Sequence, residues 1–277
     1  MAIKIVVDSA CDCDQAIVKK LNMVVAPLSV TLDDTVYVDD ASLDFEAYSA
    51  HMKSCKSFKT ACPSPQQYMD VFTGDDDILV VPISEPLSGS YQSAMVARAM
   101  VLEQHPEKCI HVFSSCTAVT GQLVLAIKIH ELSQQGKSTQ EIIEEIEKAK
   151  KHITLYFMLE SLDYLAKGGR VSPFVAKAAS MLHVRCIMLA NDMGKIEMAE
   201  KMIGEKKALK RIAAILAQKG EQLAEKTLCI SHCQALDKVQ AVLAELKTMC
   251  SFKEILVFET GGLSSIYANV GGIIIAY

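Results

Sequence analysis

The sequence predicts an α/β protein, a parallel sheet flanked by helices and followed by a mixed α+β unit. Three observations carry this. Residues 3–7, 78–83 and 109–113 are short, near-continuous apolar runs, as expected of strands buried on both faces. Helical stretches alternate with them, and strand–helix alternation argues parallel pairing. After Lys151 a hairpin signal, Asn191-Asp192-Met193-Gly194, joins two extended segments, because Asn, Asp and Gly tolerate positive φ. The change of pattern sets an expected boundary near residue 153, with an N-terminal α/β domain over 1–153 and a C-terminal α+β domain over 154–277.

Each element has a local reason. The first strand, 3–7, ends in Asp8-Ser9, and 14–21 reads as a short helix. Residues 23–30 read as a second strand, Asp33-Asp34 as a turn, and an extended piece runs on through Val38. Residues 43–52 look helical. Ser64-Pro65 opens a helix, with Ser as N-cap and Pro at the first helical position. The strand 78–83 feeds a helix over 89–104. Residues 118–134 form a long helix closed by Gly136. Ser138-Thr139-Gln140-Glu141 is a capping box, and Ile142, Ile143, Ile146 and Ala149 then share one helical face. In the second unit, 154–159, 227–231, 254–258 and 273–277 read as strands, and 185–190 with 195–200 as the hairpin arms. Residues 173–182, 205–218 and 236–246 read as helices; Leu209, Ile212, Ala213 and Leu216 face inward on the second.

Composition bounds the function. The 277 residues are 51% hydrophobic and 22% charged, which excludes a disordered chain. A net charge of −5 argues against a general nucleic-acid binder. No apolar run approaches the ~18 residues of a membrane span. Lys4 and Asp8 interrupt the opening apolar stretch, so it does not read as a signal peptide. A cytoplasmic location is therefore expected, and with it ten free thiols. Cys229-Ile230-Ser231-His232-Cys233 offers three soft ligands, whereas a structural zinc site needs four, so no metal is assigned.

No catalytic residue is assigned either. The chain has no G-x-S-x-G elbow, no C-x-x-C pair, no G-x-G-x-x-G and no phosphate-loop motif, and its seven His are scattered. The informative segment is Ser84-Glu85-Pro86-Leu87-Ser88-Gly89-Ser90, which joins a buried strand to a helix. Ligands in such folds bind at the C-terminal ends of strands, and a helix start offers backbone N–H groups to an anion. Ser88 with Gly89 is thus a candidate carboxylate or phosphate site; an ordinary N-cap is the alternative. Thr60, in the stiff loop Thr60-Ala61-Cys62-Pro63-Ser64-Pro65, offers a further hydroxyl, or the loop serves only as a helix cap. Asp8 reads as an N-cap for the next turn in preference to a catalytic acid. Arg170, after Gly168-Gly169, is a fixed cation that forks onto an anion or forms a surface ion pair. One enzymatic alternative remains on these residues, a sugar-phosphate isomerase or hydrolase with an acid or His beside Ser88.

Taken together, these segments resemble the DegV family of bacterial fatty-acid-binding proteins. Ile5-Val6-Val7-Asp8-Ser9-Ala10 is similar to its first strand and turn, and Thr60-Ala61-Cys62-Pro63-Ser64 to its Thr-Ser-Gln-Pro-Ser loop with two positions changed. Leu87-Ser88-Gly89-Ser90-Tyr91-Gln92-Ser93-Ala94 is close to its Leu-Ser-Gly-Thr-Tyr-x-Ser-Ala signature. Tyr164-Leu165-Ala166-Lys167-Gly168-Gly169-Arg170-Val171-Ser172 is similar to its Tyr-Leu-x-x-Gly-Gly-Arg-[IV]-Ser motif. The resemblance implies a long-chain fatty acid buried between two domains, its carboxylate held by Thr60, Ser88 and Gly89, with no other cofactor. It further implies that some members present the acid to an ATP-dependent fatty-acid kinase, with Arg170 expected on the partner-facing side. Two departures put kinase coupling in question. Ile203 in Lys201-Met202-Ile203-Gly204 stands where the family has Arg, and Ile266-Tyr267-Ala268-Asn269-Val270 replaces its His-x-Gly-Pro-Gly element.

Overall fold

The computed structural model describes residues 2–179 and 183–277. In chain order it begins β1 (Ile3–Asp8), α1 (Gln15–Lys20), β2 (Met23–Ala26), β3 (Ser29–Leu32), β4 (Thr35–Val38), α2 (Phe45–Ser54), β5 (Phe58–Ala61) and α3 (Pro65–Val71). It continues β6 (Asp77–Val81), α4 (Ser90–Gln104), β7 (Ile110–Val112), α5 (Thr120–Gln134) and α6 (Thr139–Ala149). Then come β8 (Leu155–Met158), α7 (Asp163–Lys167), α8 (Pro173–Ala179), β9 (Val184–Ala190), β10 (Ile196–Ile203), α9 (Glu205–Lys219), β11 (Thr227–His232), α10 (Leu236–Leu246), β12 (Glu254–Glu259), α11 (Gly262–Ala268) and β13 (Ile273–Ala276).

The strands form three sheets. The first is parallel, in the order β2-β1-β6-β7, with Val6 paired to Val24 on one side and Val80 on the other. The apolar runs are therefore strands walled on both faces, as their composition predicts. The second sheet is mixed, in the order β10-β9-β8-β13-β11-β12, and the expected hairpin is its β9–β10 edge. The third, β4-β3-β5, is a small antiparallel sheet.

Several local expectations change. The single strand expected over 23–30 is broken after Ala26, giving β2 in the parallel sheet and β3 in the small one. Pro27 sits at the break, where a residue without an N–H cannot continue a ladder. Strand β5 and helices α7 and α11 are short elements that periodicity does not reveal. The helix expected over 173–182 is α8 as far as Ala179; positions 180–182 lie outside the described residues. Asp8 is not a helix cap: Asp14 caps α1, its carboxylate accepting from Ile17 N–H at 2.8 Å.

Two elements tie the N-terminal and C-terminal halves together. Helix α5 lies between the parallel and mixed sheets, and its Leu123, Leu125, Ala126 and Ile129 share one apolar cluster with Val7 of β1 and Cys229 of β11. Helix α11 belongs by sequence to the C-terminal half but hangs from the N-terminal one. Asp39 accepts from Gly262 N–H (2.7 Å) and Leu263 N–H (3.0 Å), and Asp12 from Gly261 N–H (2.9 Å). The Tyr48 hydroxyl donates to Gly262 O at 2.7 Å. These bonds set the position of the face that α11 turns toward the cavity described below.

Among the described residues, no helix is long and apolar enough to cross a membrane, and no group of three or more His, Cys, Asp or Glu is placed to hold a metal ion. Cys229 and Cys233 are buried in different apolar clusters, so their thiols do not converge.

Candidate functional site

A cavity lies between the C-terminal edge of the parallel sheet and one face of the mixed sheet. Its volume is about 120 Å³, on a scale where a single buried water needs roughly 10–15 Å³. The mixed sheet supplies Leu155 and Phe157 of β8, with Leu159 just beyond it, and Ile274 of β13. The β8 positions alternate because successive side chains on a strand face opposite ways. The N-terminal half supplies Leu28, Ile83 and the loop carrying Leu87 and Ser88, and α11 supplies Leu263, Ser264, Tyr267 and Ala268. The walls are mainly aliphatic, and no Asp, Glu or His lines the cavity among the described residues.

Polar groups gather at one end. Thr60 Oγ1 lies 2.9 Å from the Tyr267 hydroxyl. Ser88 stands beside them on the cavity wall. Its Oγ accepts from Ser90 N–H at 3.2 Å, which leaves the hydroxyl proton free to point into the cavity. Gly89 is the N-cap of α4 with no side-chain cap bond, and its N–H has no protein acceptor among the described residues. Arg170 is half-buried at the same end. Its Nε donates to Leu87 O at 2.9 Å, and its guanidinium carbon lies 5.5 Å from the centroid of the Tyr267 ring. No carboxylate pairs with it among the described residues. The sequence-predicted residues Thr60, Ser88, Gly89 and Arg170 are thus brought together.

The loop that carries Ser88 is fixed from below by Asp8, which is fully buried. Its carboxylate accepts from Ile83 N–H (2.9 Å), from Gln122 Nε2 (2.9 Å) and from the Ser90 hydroxyl, and Tyr68 OH lies 2.7 Å from Ser90 Oγ. Burial raises the Asp8 carboxyl above its ordinary value, and these hydrogen bonds only partly oppose that. Asp8 does not line this cavity; it is a strut that joins β1, the loop after β6, α4 and α5. Ser90 is spent on Asp8, so of the two serines flanking Gly89 only Ser88 faces the cavity.

Tyr267 was not singled out from the sequence. It lies in the segment where the family resemblance places a His, and the side chain that enters the site from that segment is Tyr267. Ile266 turns the other way, 1% exposed, into a core with Ala10, Leu28 and Tyr48. The available signal was the spacing of Leu263 and Tyr267, which share one helical face at i and i+4. Ile203, at the end of β10, is 73% exposed and lies outside the cavity.

Open depressions adjoin the cavity at both ends and share lining residues with it. At the polar end, Thr60, Arg170 and Tyr267 also line a vestibule with Lys56, Lys59 and Lys167 and no acidic residue. At the far end, Leu155 and Ala190 are shared with a surface groove.

Comparison with known proteins follows the same lines. A solved DegV family protein from Ruminococcus gnavus, refined with vaccenic acid, is 34% identical, covers 99% of each chain and superposes with a TM-score of 0.94. The Fatty Acid Kinase (Fak) B3 protein of Streptococcus pneumoniae, loaded with linoleic acid, is 32% identical with a TM-score of 0.91, over 100% of this chain and 99% of that one. A DegV domain-containing protein of Streptococcus pneumoniae R6 is 32% identical over 280 residues, 100% of this chain and 99% of its own. A sequence profile described as "Uncharacterised protein, DegV family" matches residues 2–277. The chain belongs to the DegV family.

Proposed function

We propose that this protein binds one long-chain fatty acid and carries it without transforming it. The observation that carries the reading is an aliphatic cavity whose one polar end gathers Thr60, Ser88 and Arg170, with Gly89 next to Ser88 at the start of α4. The acyl chain lies along Phe157, Leu159 and Ile274, and the carboxylate accepts from the Thr60 and Ser88 hydroxyls and from Gly89 N–H. Either hydroxyl of the Thr60–Tyr267 pair can donate to the other; with Tyr267 OH as the donor, the Thr60 proton turns toward the ligand. Residues 1–153 supply the carboxylate loops and 154–277 close the tunnel. Each buried methylene contributes about 0.8 kcal/mol, so most of the affinity comes from the chain, and the hydrogen bonds set which end goes where. The relatives solved with vaccenic and linoleic acids support the ligand class. The sugar-phosphate alternative requires an acid or His beside Ser88; the aliphatic lining gives it no support. We place the protein in the cytoplasm, where its ten cysteines, all unpaired, persist as thiols.

Native mass spectrometry of the purified protein is expected to show a co-purified acid of fourteen to eighteen carbons. The double variant Thr60→Ala, Ser88→Ala is expected to lose about 1.5–3 kcal/mol of binding per hydroxyl. An empty protein that also ignores palmitate and oleate would sink the reading.

A second reading is favoured by the basic vestibule outside Thr60 and Arg170 and by the likeness to Fak B3. In it the bound acid is presented there to a fatty-acid kinase. The exposed Ile203, where the family resemblance places Arg, weighs against it. Incubation with a fatty-acid kinase and ATP, with acyl phosphate as the readout, separates the two.

A further inference from the structure

The non-polar end of the tunnel is a built wall. Strand β8 runs from Leu155 toward Leu159 and then into α7 and Arg170, so Leu155 lies at the end remote from the carboxylate cradle. Four residue steps of extended chain lead from Leu155 to Leu159, roughly 13 Å at ~3.3 Å per residue. Leu155 pairs with Ala276 on one side, and Ala190 pairs with Ile196 across the hairpin on the other. Leu155, Ala190 and Ile196 all line the tunnel. Leu155 and Ala190 also line the open groove beyond, which includes Thr154, Asn191, Met193 and Lys219. Leu155 and Ala190 are thus the residues that the tunnel and the groove share.

The wall is held across the two halves of the chain. The β9–β10 turn is closed by Asn191, whose Oδ1 accepts from Met193 N–H (2.9 Å) and Lys195 N–H (3.0 Å). Its tip is docked on the N-terminal half, where the Ser84 hydroxyl donates to Gly194 O at 3.0 Å. Gly194 has φ +73° and sits so close to Ser84 and Cys116 that a Cβ there would lie 2.0 Å from Ser84 Oγ. Ala190 and Ile196 flank this docked turn, so their positions are set by a contact made outside the mixed sheet.

We propose that Leu155 and Ala190 are the chain-length gauge of this protein: they end the acyl chain, and their size decides how long an acid is accepted. The inference rests on the fatty-acid reading above. Shortening Leu155 opens the tunnel into the groove and admits longer acids. Enlarging Ala190 moves the wall inward and favours shorter ones.

The test offers delipidated protein an equimolar mixture of saturated acids of twelve to twenty carbons and reads the bound species by native mass spectrometry. A misfit of one methylene in an apolar pocket discriminates by roughly tenfold or more. Leu155→Ala is expected to shift the ratio of longer to preferred acid upward by at least about that factor, and Ala190→Leu to shift it downward by a similar one. Leu155→Ala empties a core position, so Leu155→Val is run beside it as the milder form. Variants that still bind acids but keep the wild-type length distribution overturn the gauge and leave the fatty-acid reading standing. A wild-type protein that takes up none of the acids overturns both.

Discussion

The Thr60 hydroxyl and the Tyr267 phenol meet at 2.9 Å, joining β5 to α11 across 207 positions of sequence. The contact closes the polar end of the cavity and orders the donors there. If Tyr267 donates to Thr60, the Thr60 proton is left for the ligand, so the two residues act in series.

That order predicts unequal losses. Thr60→Val keeps the shape and removes the direct donor, and is expected to weaken palmitate binding by about 1.5–3 kcal/mol, the range for a hydrogen bond to a charged group. Tyr267→Phe removes only the bond behind it and is expected to cost about 0.5–1.5 kcal/mol. Isothermal titration of both variants checks this. A Tyr267→Phe loss as large as that of Thr60→Val would mean that Tyr267 itself touches the carboxylate.

Asp12 predicts a pH dependence of stability. Its carboxylate is buried at the junction of the two halves, where it accepts from the Ser231 hydroxyl and from Gly261 N–H. Burial pushes its pKa from 3.8 up to about 7, against the pull of those hydrogen bonds. The folded protein therefore holds this proton more tightly than the unfolded chain does. By linkage, stability contributed at this site falls as the pH rises from about 4 to about 7, and is flat outside that window. Asp39 is shifted in the same direction, also mainly by burial. Asp12→Asn keeps an acceptor and removes the ionisation. Thermal melts are expected to show a smaller drop between about pH 5 and about pH 8 in the variant, with no loss of Tm at the higher pH. An unchanged slope would show that Asp12 does not titrate in this window.

Gly194 and Gly136 form an internal comparison. Both have positive φ, +73° and +76°. A Cβ at Gly136 meets nothing within 4 Å, whereas one at Gly194 meets Ser84 Oγ at 2.0 Å and the Cys116 Cα at 2.8 Å. Gly136→Ala is expected to cost the backbone penalty alone, about 1–2 kcal/mol. Gly194→Ala adds overpacking of about 1–3 kcal/mol and displaces the hairpin tip from Ser84. Urea denaturation read at the midpoint ranks the two; equal costs would mean that the tip is free to move away from the N-terminal half.

The parts of the fold legible in the sequence are those set by neighbours a few residues apart. The Ser138–Glu141 and Ser64–Gln67 capping boxes form where the pattern places them. The apolar runs become β1, β6 and β7 because full burial on both faces requires continuous hydrophobicity. Ser88 lines the cavity because the loop after a parallel strand points toward the ligand side of such a sheet. Local pattern failed at Pro27, where one apolar stretch serves two sheets, and at α11, whose seven residues begin with glycine and carry no side-chain cap of their own. The caps of α11 are Asp12 and Asp39, more than two hundred positions away.

The sequence by itself therefore determined the α/β class, the order of most elements and the loops that bring Thr60 and Ser88 to the cavity, because these follow from periodicity, caps and turn chemistry within short windows. Only the tertiary structure decided that Tyr267 faces Thr60 while Ile266 is buried, that Asp8 is a strut rather than a cap, and that Leu155 and Ala190 line both the cavity and the groove beside it. Each of these depends on which side chains meet across sheets and across the two halves of the chain. Such meetings are fixed by register and by packing at long range, and a local pattern carries no record of either.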